Sequence, residues 1–134
     1  MIESLGIPDE RFATFVHPMS YVAPNVRLDH GVVVMPNATV SANTTVGKCS
    51  LVMVGATILH DSLIGRYCHL AAQSCLGAHL QIGEGVHVGL NATVRENISI
   101  GAFAALGMGA VLTKNIGPNE VWAGNPARKL RMAE

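Results

Sequence analysis

Aliphatic residues recur at every sixth position along most of the chain. The series begins at Val16 and continues without a gap to Leu112, and each of its seventeen members is Val, Ile or Leu. An amphipathic helix repeats at about 3.6 residues and a simple strand at about two, so a period of six fits neither alone. The pattern predicts short strands separated by tight turns, as in a β-helix of hexapeptide repeats.

Two other positions of the repeat support this interpretation. The position two before each aliphatic is mostly small or β-branched, and we expect it to fill the narrow space inside the coil. Glycine follows the aliphatic residue in seven repeats, where we expect it to supply backbone conformations that a Cβ would forbid. Because glycine is densest at every third repeat, we expect three walls and eighteen residues per coil. These glycines are Gly47, Gly65, Gly83 and Gly101.

The repeat predicts one all-β domain of about five to six coils, in which residues eighteen apart stack about 4.8 Å from one another. We assign residues 16–117 to the β-helix, residues 1–15 to an N-terminal cap or linker, and residues 118–134 to a short C-terminal cap. A length of 134 residues suits a single domain. Because the repeat has no insertion, we expect functional residues on the outer walls and corners.

Composition narrows the possible functions. Nine Lys and Arg balance nine Asp and Glu, and no basic stripe is present, so nucleic acid is not an expected partner. No apolar stretch reaches membrane-spanning length, and no secretory signal opens the sequence, so we expect no membrane insertion. The three cysteines are an odd number without metal-ligand spacing, which favours a cytoplasmic protein and no metal site.

The repeat and its closing segment together resemble the hexapeptide-repeat acyltransferases. The closing segment reads Val121-Trp122-Ala123-Gly124-Asn125-Pro126-Ala127-Arg128. The resemblance covers about residues 14–130 and implies a left-handed parallel β-helix, a homotrimer and acetyl-CoA as co-substrate. Residues 55–69 are most similar to the branch of sialic acid O-acetyltransferases and N-acetyltransferases of nucleotide-linked amino sugars. This branch implies an enzyme that transfers acetyl to an amine or hydroxyl of a sugar or nucleotide sugar.

His60 and Asp61 are the candidate catalytic residues. Acetyl transfer needs a base with a pKa near neutrality to take the proton of the acceptor, and histidine suits this role. Asp61 could fix the tautomer of His60, although neighbours on a strand point to opposite faces, so the pair can meet only at a corner or across a subunit boundary. The resemblance implies the same two roles. The sequence has no Ser or Cys nucleophile motif, which favours direct transfer with backbone N–H groups stabilising the oxyanion.

The resemblance also implies an acetyl-CoA site. His69, Leu90 and Met108 match positions at which the branch contacts acetyl-CoA, the last two through backbone groups. His69 lies half a coil from His60, so we expect the two histidines to meet only between chains of the trimer. His69 and His87 are eighteen apart and therefore stacked, as a ladder, a metal pair or neither. Three basic residues near the exit of the slot could contact the cofactor's phosphates: Lys114, Arg128 and Lys129.

Two alternatives stay open. A γ-class carbonic anhydrase shares the fold and binds zinc through three histidines between subunits, but its paired histidines lie five apart, whereas those from His60 to His87 are spaced nine, ten and eight. A non-catalytic scaffold or degenerate subunit is favoured by Met53 and Leu59, which stand where the branch often has Asn and an acid. The branch's nucleotide-binding domain is also missing before the coil. Bound zinc would indicate the first alternative, and failure to bind CoA the second.

Overall fold

The computed structural model describes residues 2–134, and most of them form a three-walled parallel β-solenoid. Each hexapeptide contributes one strand of two residues, an outward residue followed by the inward aliphatic, and a turn ends the strand. Strands eighteen residues apart pair in parallel, as His69 does with His87. The predicted all-β parallel β-helix is confirmed, and its coils are consistent with the left-handed winding that the resemblance implies.

The three walls, named A, B and C, follow one another along each coil. Wall A contains β1 Phe15–Val16, β4 Val33–Val34, β7 Leu51–Val52, β10 His69–Leu70, β13 His87–Val88, β16 Ala105–Leu106, β18 Glu120–Ala123 and β19 Arg128–Met132. Wall B contains β2 Tyr21–Val22, β5 Thr39–Val40, β8 Thr57–Ile58, β11 Cys75–Leu76, β14 Thr93–Val94 and β17 Val111–Leu112. Wall C contains β3 Arg27–Leu28, β6 Thr45–Val46, β9 Leu63–Ile64, β12 Gln81–Ile82 and β15 Ser99–Ile100.

The turns between the walls form three corners, named A–B, B–C and C–A after the walls that they join. The third residue after the aliphatic is left-handed at these corners, as at Asp61 with φ 59° and His79 with φ 56°. The glycines directly after the aliphatic have ordinary φ values, so the expected special backbone conformation at this position is wrong. These glycines give space instead, since a Cβ on Gly47 would lie 2.6 Å from the backbone nitrogen of Arg66 in the next coil.

The two inward positions of the repeat fill the coil. Every sixth residue from Val34 to Leu112 is at most 4% exposed, whereas Val16 in the first described coil is 41% exposed. Polar residues at the other inward position bond to the backbone: the Ser50 hydroxyl donates to the Gly65 carbonyl at 2.8 Å and accepts from the Cys68 N–H at 3.0 Å. Within residues 2–134, the Ser74 hydroxyl is the buried side-chain group without a partner.

The two ends of the chain differ from the repeat. The N-terminal segment contains two 3₁₀ helices, η1 Glu3–Leu5 and η2 Asp9–Arg11, and its acids pair with basic residues of the C–A corner. At the other end, β18 pairs with β16 in parallel, and β19 returns antiparallel to β18 as the C-terminal cap. No helix in residues 2–134 has the length and apolar content that a membrane span requires.

Candidate functional site

A groove of about 440 Å³ follows the A–B corner along several coils. It brings together His69, Leu90 and Met108, the three residues that the sequence assigns to acetyl-CoA. Histidines of wall A form one side, and the residues that follow the wall form the other. The groove is lined by Met53, His69, Ala71, Ala72, His87, Gly89, Leu90, Ala105, Leu106, Gly107, Met108 and Val121. The lining is almost entirely apolar, so the groove suits a ligand with an uncharged, flexible portion.

Small residues make up much of the lining of this groove. Gly89 directly follows wall A, and a Cβ at this position would lie 2.5 Å from the Met108 nitrogen. Glycine therefore lets the backbone of the next coil pack directly against this position. The N–H groups of Leu90 and Met108 donate no hydrogen bond to any described residue. Because both residues line the groove, it offers backbone donors beside an apolar surface. The resemblance implies backbone contacts to acetyl-CoA at these two positions, and this role stays a prediction.

His69 and His87 form a pair on the outer face of wall A. Their Nδ1 atoms lie 3.2 Å apart, and the two ring centroids are 4.9 Å apart. One nitrogen of this contact must carry a proton and the other must accept it. Partial burial lowers the pKa of His87, and the neighbouring His69 lowers it further. The predicted stacking of these two residues is confirmed.

His60 and Asp61 lie at the B–C corner, after wall B. The His60 Nδ1 is 2.7 Å from the Asp61 Oδ2. The left-handed backbone of Asp61 turns its side chain back toward its neighbour, so the pair meets at a corner of one chain, which was one of the two predicted possibilities. The hydrogen bond from His60 lowers the pKa of Asp61, and a hydrogen bond from Asn43 adds to this effect. The carboxylate therefore stays charged at neutral pH.

The sequence interpretation missed His79, which lies against His60. Their ring centroids are 5.2 Å apart, with the planes at 87°. His79 follows Asp61 by eighteen residues, so it occupies the same corner of the next coil. The eighteen-residue period, when applied to Asp61, would have identified this contact from the sequence. One potential ligand atom from each of His60, Asp61 and His79 lies within 4.8 Å of the other two.

The structure does not bring the candidate base and the candidate cofactor residues into one cavity of a single chain. His60 and Asp61 are at the B–C corner and do not line the groove at the A–B corner. The three predicted phosphate contacts do share a cavity. This cavity of about 280 Å³ is lined by Thr113, Lys114, Trp122, Pro126, Ala127, Arg128 and Lys129. Lys129 also pairs with Glu120 at 3.7 Å.

Comparisons with known proteins place this architecture among solved acetyltransferases. No family model and no curated protein matches the chain. GDP-perosamine N-acetyltransferase of Caulobacter crescentus, solved with CoA and GDP-perosamine, is 30% identical with a TM-score of 0.88, and the match covers 89% of this chain and 57% of that one. The acetyltransferase domain of PglB from Neisseria gonorrhoeae is 31% identical with a TM-score of 0.88, and 89% and 58% of the two chains match.

A third neighbour, WeeI from Acinetobacter baumannii, is 26% identical with a TM-score of 0.83 over 86% of this chain and 57% of that one. This chain thus spans less than two thirds of these neighbours' length. The fold and the repeat define a hexapeptide-repeat β-solenoid. The likeness to these neighbours confirms the resemblance to the hexapeptide-repeat acyltransferases found in the sequence.

Proposed function

We propose that the protein is an acetyl-CoA-dependent acetyltransferase that acetylates an amine or hydroxyl of a sugar or nucleotide sugar. The groove at the A–B corner carries this proposal, since it unites His69, Leu90 and Met108 on one surface. Neighbouring structures support it, because one contains CoA with GDP-perosamine and another contains acetyl coenzyme A. Acetyl-CoA supplies an acetyl group that is already activated as a thioester.

The groove fits this co-substrate. Its apolar lining suits the uncharged arm of the cofactor, and the free N–H groups of Leu90 and Met108 can donate to amide or thioester oxygens. The cavity that contains Lys114, Arg128 and Lys129 offers positive charge for phosphates. The two cavities share no lining residue, so a ligand using both would extend across the end of the solenoid.

His60 is the proposed general base. With Asp61 2.7 Å from Nδ1, the favoured tautomer carries its proton at Nδ1 and leaves Nε2 free as an acceptor. His60 then takes the proton of the acceptor's amine or hydroxyl at Nε2. Asp61 keeps its negative charge and stabilises the imidazolium that forms.

A homotrimer completes the proposed site. The base and the groove occupy different corners of the same coils, so one chain alone does not bring them together. We propose a three-fold assembly in which the B–C corner of one subunit faces the A–B groove of the next. The acceptor would then bind between subunits, next to His60 of one chain and the groove of its partner.

Calorimetry with acetyl-CoA tests the proposal. Wild-type protein should bind about one acetyl-CoA per chain, and Ala72→Phe, which fills the groove, should weaken binding by at least about tenfold, or 1.4 kcal/mol. Ala102→Phe is the matched control, since Ala102 holds the same position of the repeat at the C–A corner and should bind like wild type. Absence of binding by the folded wild type would contradict the proposal and favour the scaffold alternative.

A further inference from the structure

His60, Asp61 and His79 form a cluster that the proposed acetyl transfer uses only in part. The cluster combines two imidazoles and one carboxylate at the exposed B–C corner, with one ligand atom of each within 4.8 Å of the others. Acetyl transfer needs only the first two residues. His79 has no role in it, although it contacts the ring of His60.

The backbone fixes all three residues in neighbouring coils. The Asp61 N–H donates to the Ala42 carbonyl at 2.9 Å, and the His79 N–H donates to the His60 carbonyl at 3.1 Å. These bonds join one coil to the next, so the Cα positions of the cluster are set by the solenoid itself. Side-chain rotation alone is then needed to bring three donor atoms around one ion.

Side-chain amides precede the carboxylate along the same corner. The Asn25 side-chain amide donates to the Asn43 Oδ1 at 2.5 Å, and Asn43 precedes Asp61 by one coil. Asn25, Asn43, Asp61 and His79 lie at one position of successive coils, eighteen residues apart. A polar neighbour that can hydrogen-bond a ligating carboxylate is typical of protein metal sites, because such outer contacts orient the ligand.

We infer that His60, Asp61 and His79 bind one divalent cation of the zinc class. Two imidazole nitrogens and one carboxylate oxygen suit Zn²⁺, and three protein ligands leave a fourth tetrahedral position for water. Zn²⁺ on His60 would occupy a nitrogen that acetyl transfer requires. If the protein is the proposed transferase, the bound cation therefore inhibits it. Only this inhibition rests on the proposed function.

The His69–His87 pair is the competing location for a cation. The two imidazole Nδ1 atoms of this pair lie 3.2 Å apart, but no carboxylate or thiol of the described residues lies close enough to bind the same ion. A site with three ligands is therefore expected to bind Zn²⁺ more tightly than this pair. Variants of the two histidine pairs distinguish the locations.

The test is a Zn²⁺ titration of the metal-free full chain in competition with a chromophoric chelator at pH 7.5. Wild type should bind about one Zn²⁺ per chain, and His79→Asn should weaken the affinity by at least about tenfold. Asparagine suits this left-handed position, since Asn43 and Asn97 occupy it in other coils. His30→Asn is the matched control, because His30 is exposed and outside both histidine pairs.

The absorption of bound Co²⁺ provides a second readout, since a tetrahedral site gives much stronger visible bands than an octahedral one. The inference is overturned if the folded wild type binds no Zn²⁺, or if His79→Asn binds like wild type while His69→Ala/His87→Ala does not. Acetyl-CoA calorimetry on His79→Asn is independent of this result, so a failure here leaves the proposed function standing.

Discussion

The A–B and B–C corners share one repeat and one backbone path, yet they carry opposite chemistry. Two positions after the inward aliphatic, the A–B corner has the exposed apolar residues Leu90 and Met108, whereas the B–C corner has His60. The first corner is an apolar groove, and the second presents ionisable side chains to solvent. The repeat therefore determines where a side chain lies, and the outward residues alone determine what the corner can do.

The electrostatics of the two corners differ in the same way. At the B–C corner, the hydrogen bond from His60 lowers the pKa of Asp61 and so favours a charged carboxylate. In the groove, partial burial lowers the pKa of His87 and so favours a neutral imidazole. One corner thus stabilises charge and the other disfavours it, as expected for a base beside the binding surface of an uncharged thioester.

Mixed oligomers test whether the two corners act together across a subunit boundary. His60→Ala should lower kcat by about 10² to 10⁴, because a general base is lost, while acetyl-CoA binding stays intact. Ala72→Phe should remove activity through the groove instead, when the acetyl-CoA concentration is kept well below the weakened Kd of the variant. When the two inactive chains are refolded together in equal amounts, roughly a quarter of the subunit boundaries in random trimers join an intact His60 to an intact groove. Activity should therefore return to roughly a quarter of the wild-type value.

Each variant refolded alone is the control and should stay inactive. Mass spectrometry of differently tagged chains verifies that mixed trimers have formed. If verified mixed trimers remain inactive, the base and the groove do not combine between subunits, and the split site is wrong. Light scattering that finds only monomers would contradict the trimer itself.

Much of this arrangement is predictable from the sequence, because a strict period converts spacing into position. The six-residue repeat and its eighteen-residue coil place His69 on wall A and Leu90 and Met108 at the corner that follows this wall, on adjacent coils, where all three line the groove. The contact between His60 and Asp61 is predictable only as one of two possibilities, since it depends on the left-handed φ of Asp61.

Features outside the repeat could not be predicted in this way. The N-terminal segment follows the C–A corner through isolated ion pairs, such as Glu3 with Arg66 at 3.2 Å, and nothing in the spacing identifies these partners. The role of the strand-following glycines depends on the distance between coils, because Gly47 leaves room for backbone rather than adopting a special φ. The sequence shows where glycine recurs. It does not show whether a glycine is needed to leave room for the next coil or to adopt a special φ.

Asparagine substitutions distinguish two kinds of glycine in the repeat: Gly83, which directly follows the inward aliphatic, and Gly109, which occupies the left-handed position of the corner. Gly83→Asn should lower the free energy of unfolding by about 3 kcal/mol or more, because its Cβ would lie 2.7 Å from the backbone nitrogen of Ala102. Gly109→Asn should change it by about 1 kcal/mol or less, since no atom lies within 4 Å of the new Cβ and asparagine tolerates φ of 66°. Urea unfolding monitored by circular dichroism measures both. Equal losses would mean that coil spacing does not require Gly83.

The smallest expected effect is a pH dependence of stability that arises from His87 in the groove. The pKa of His87 is lowered by partial burial and by His69, so below about pH 6.5 the unfolded chain takes up this proton more readily than the folded chain. The contribution of His87 to the free energy of unfolding is therefore lost as the pH falls below about 6.5, and it does not change with pH well above this value. His87→Gln should lose less stability than wild type between pH 7.5 and 5.5 in urea unfolding. Equal slopes for the two proteins would mean that the groove does not disfavour charge, and the electrostatic contrast between the two corners would then rest on Asp61 alone.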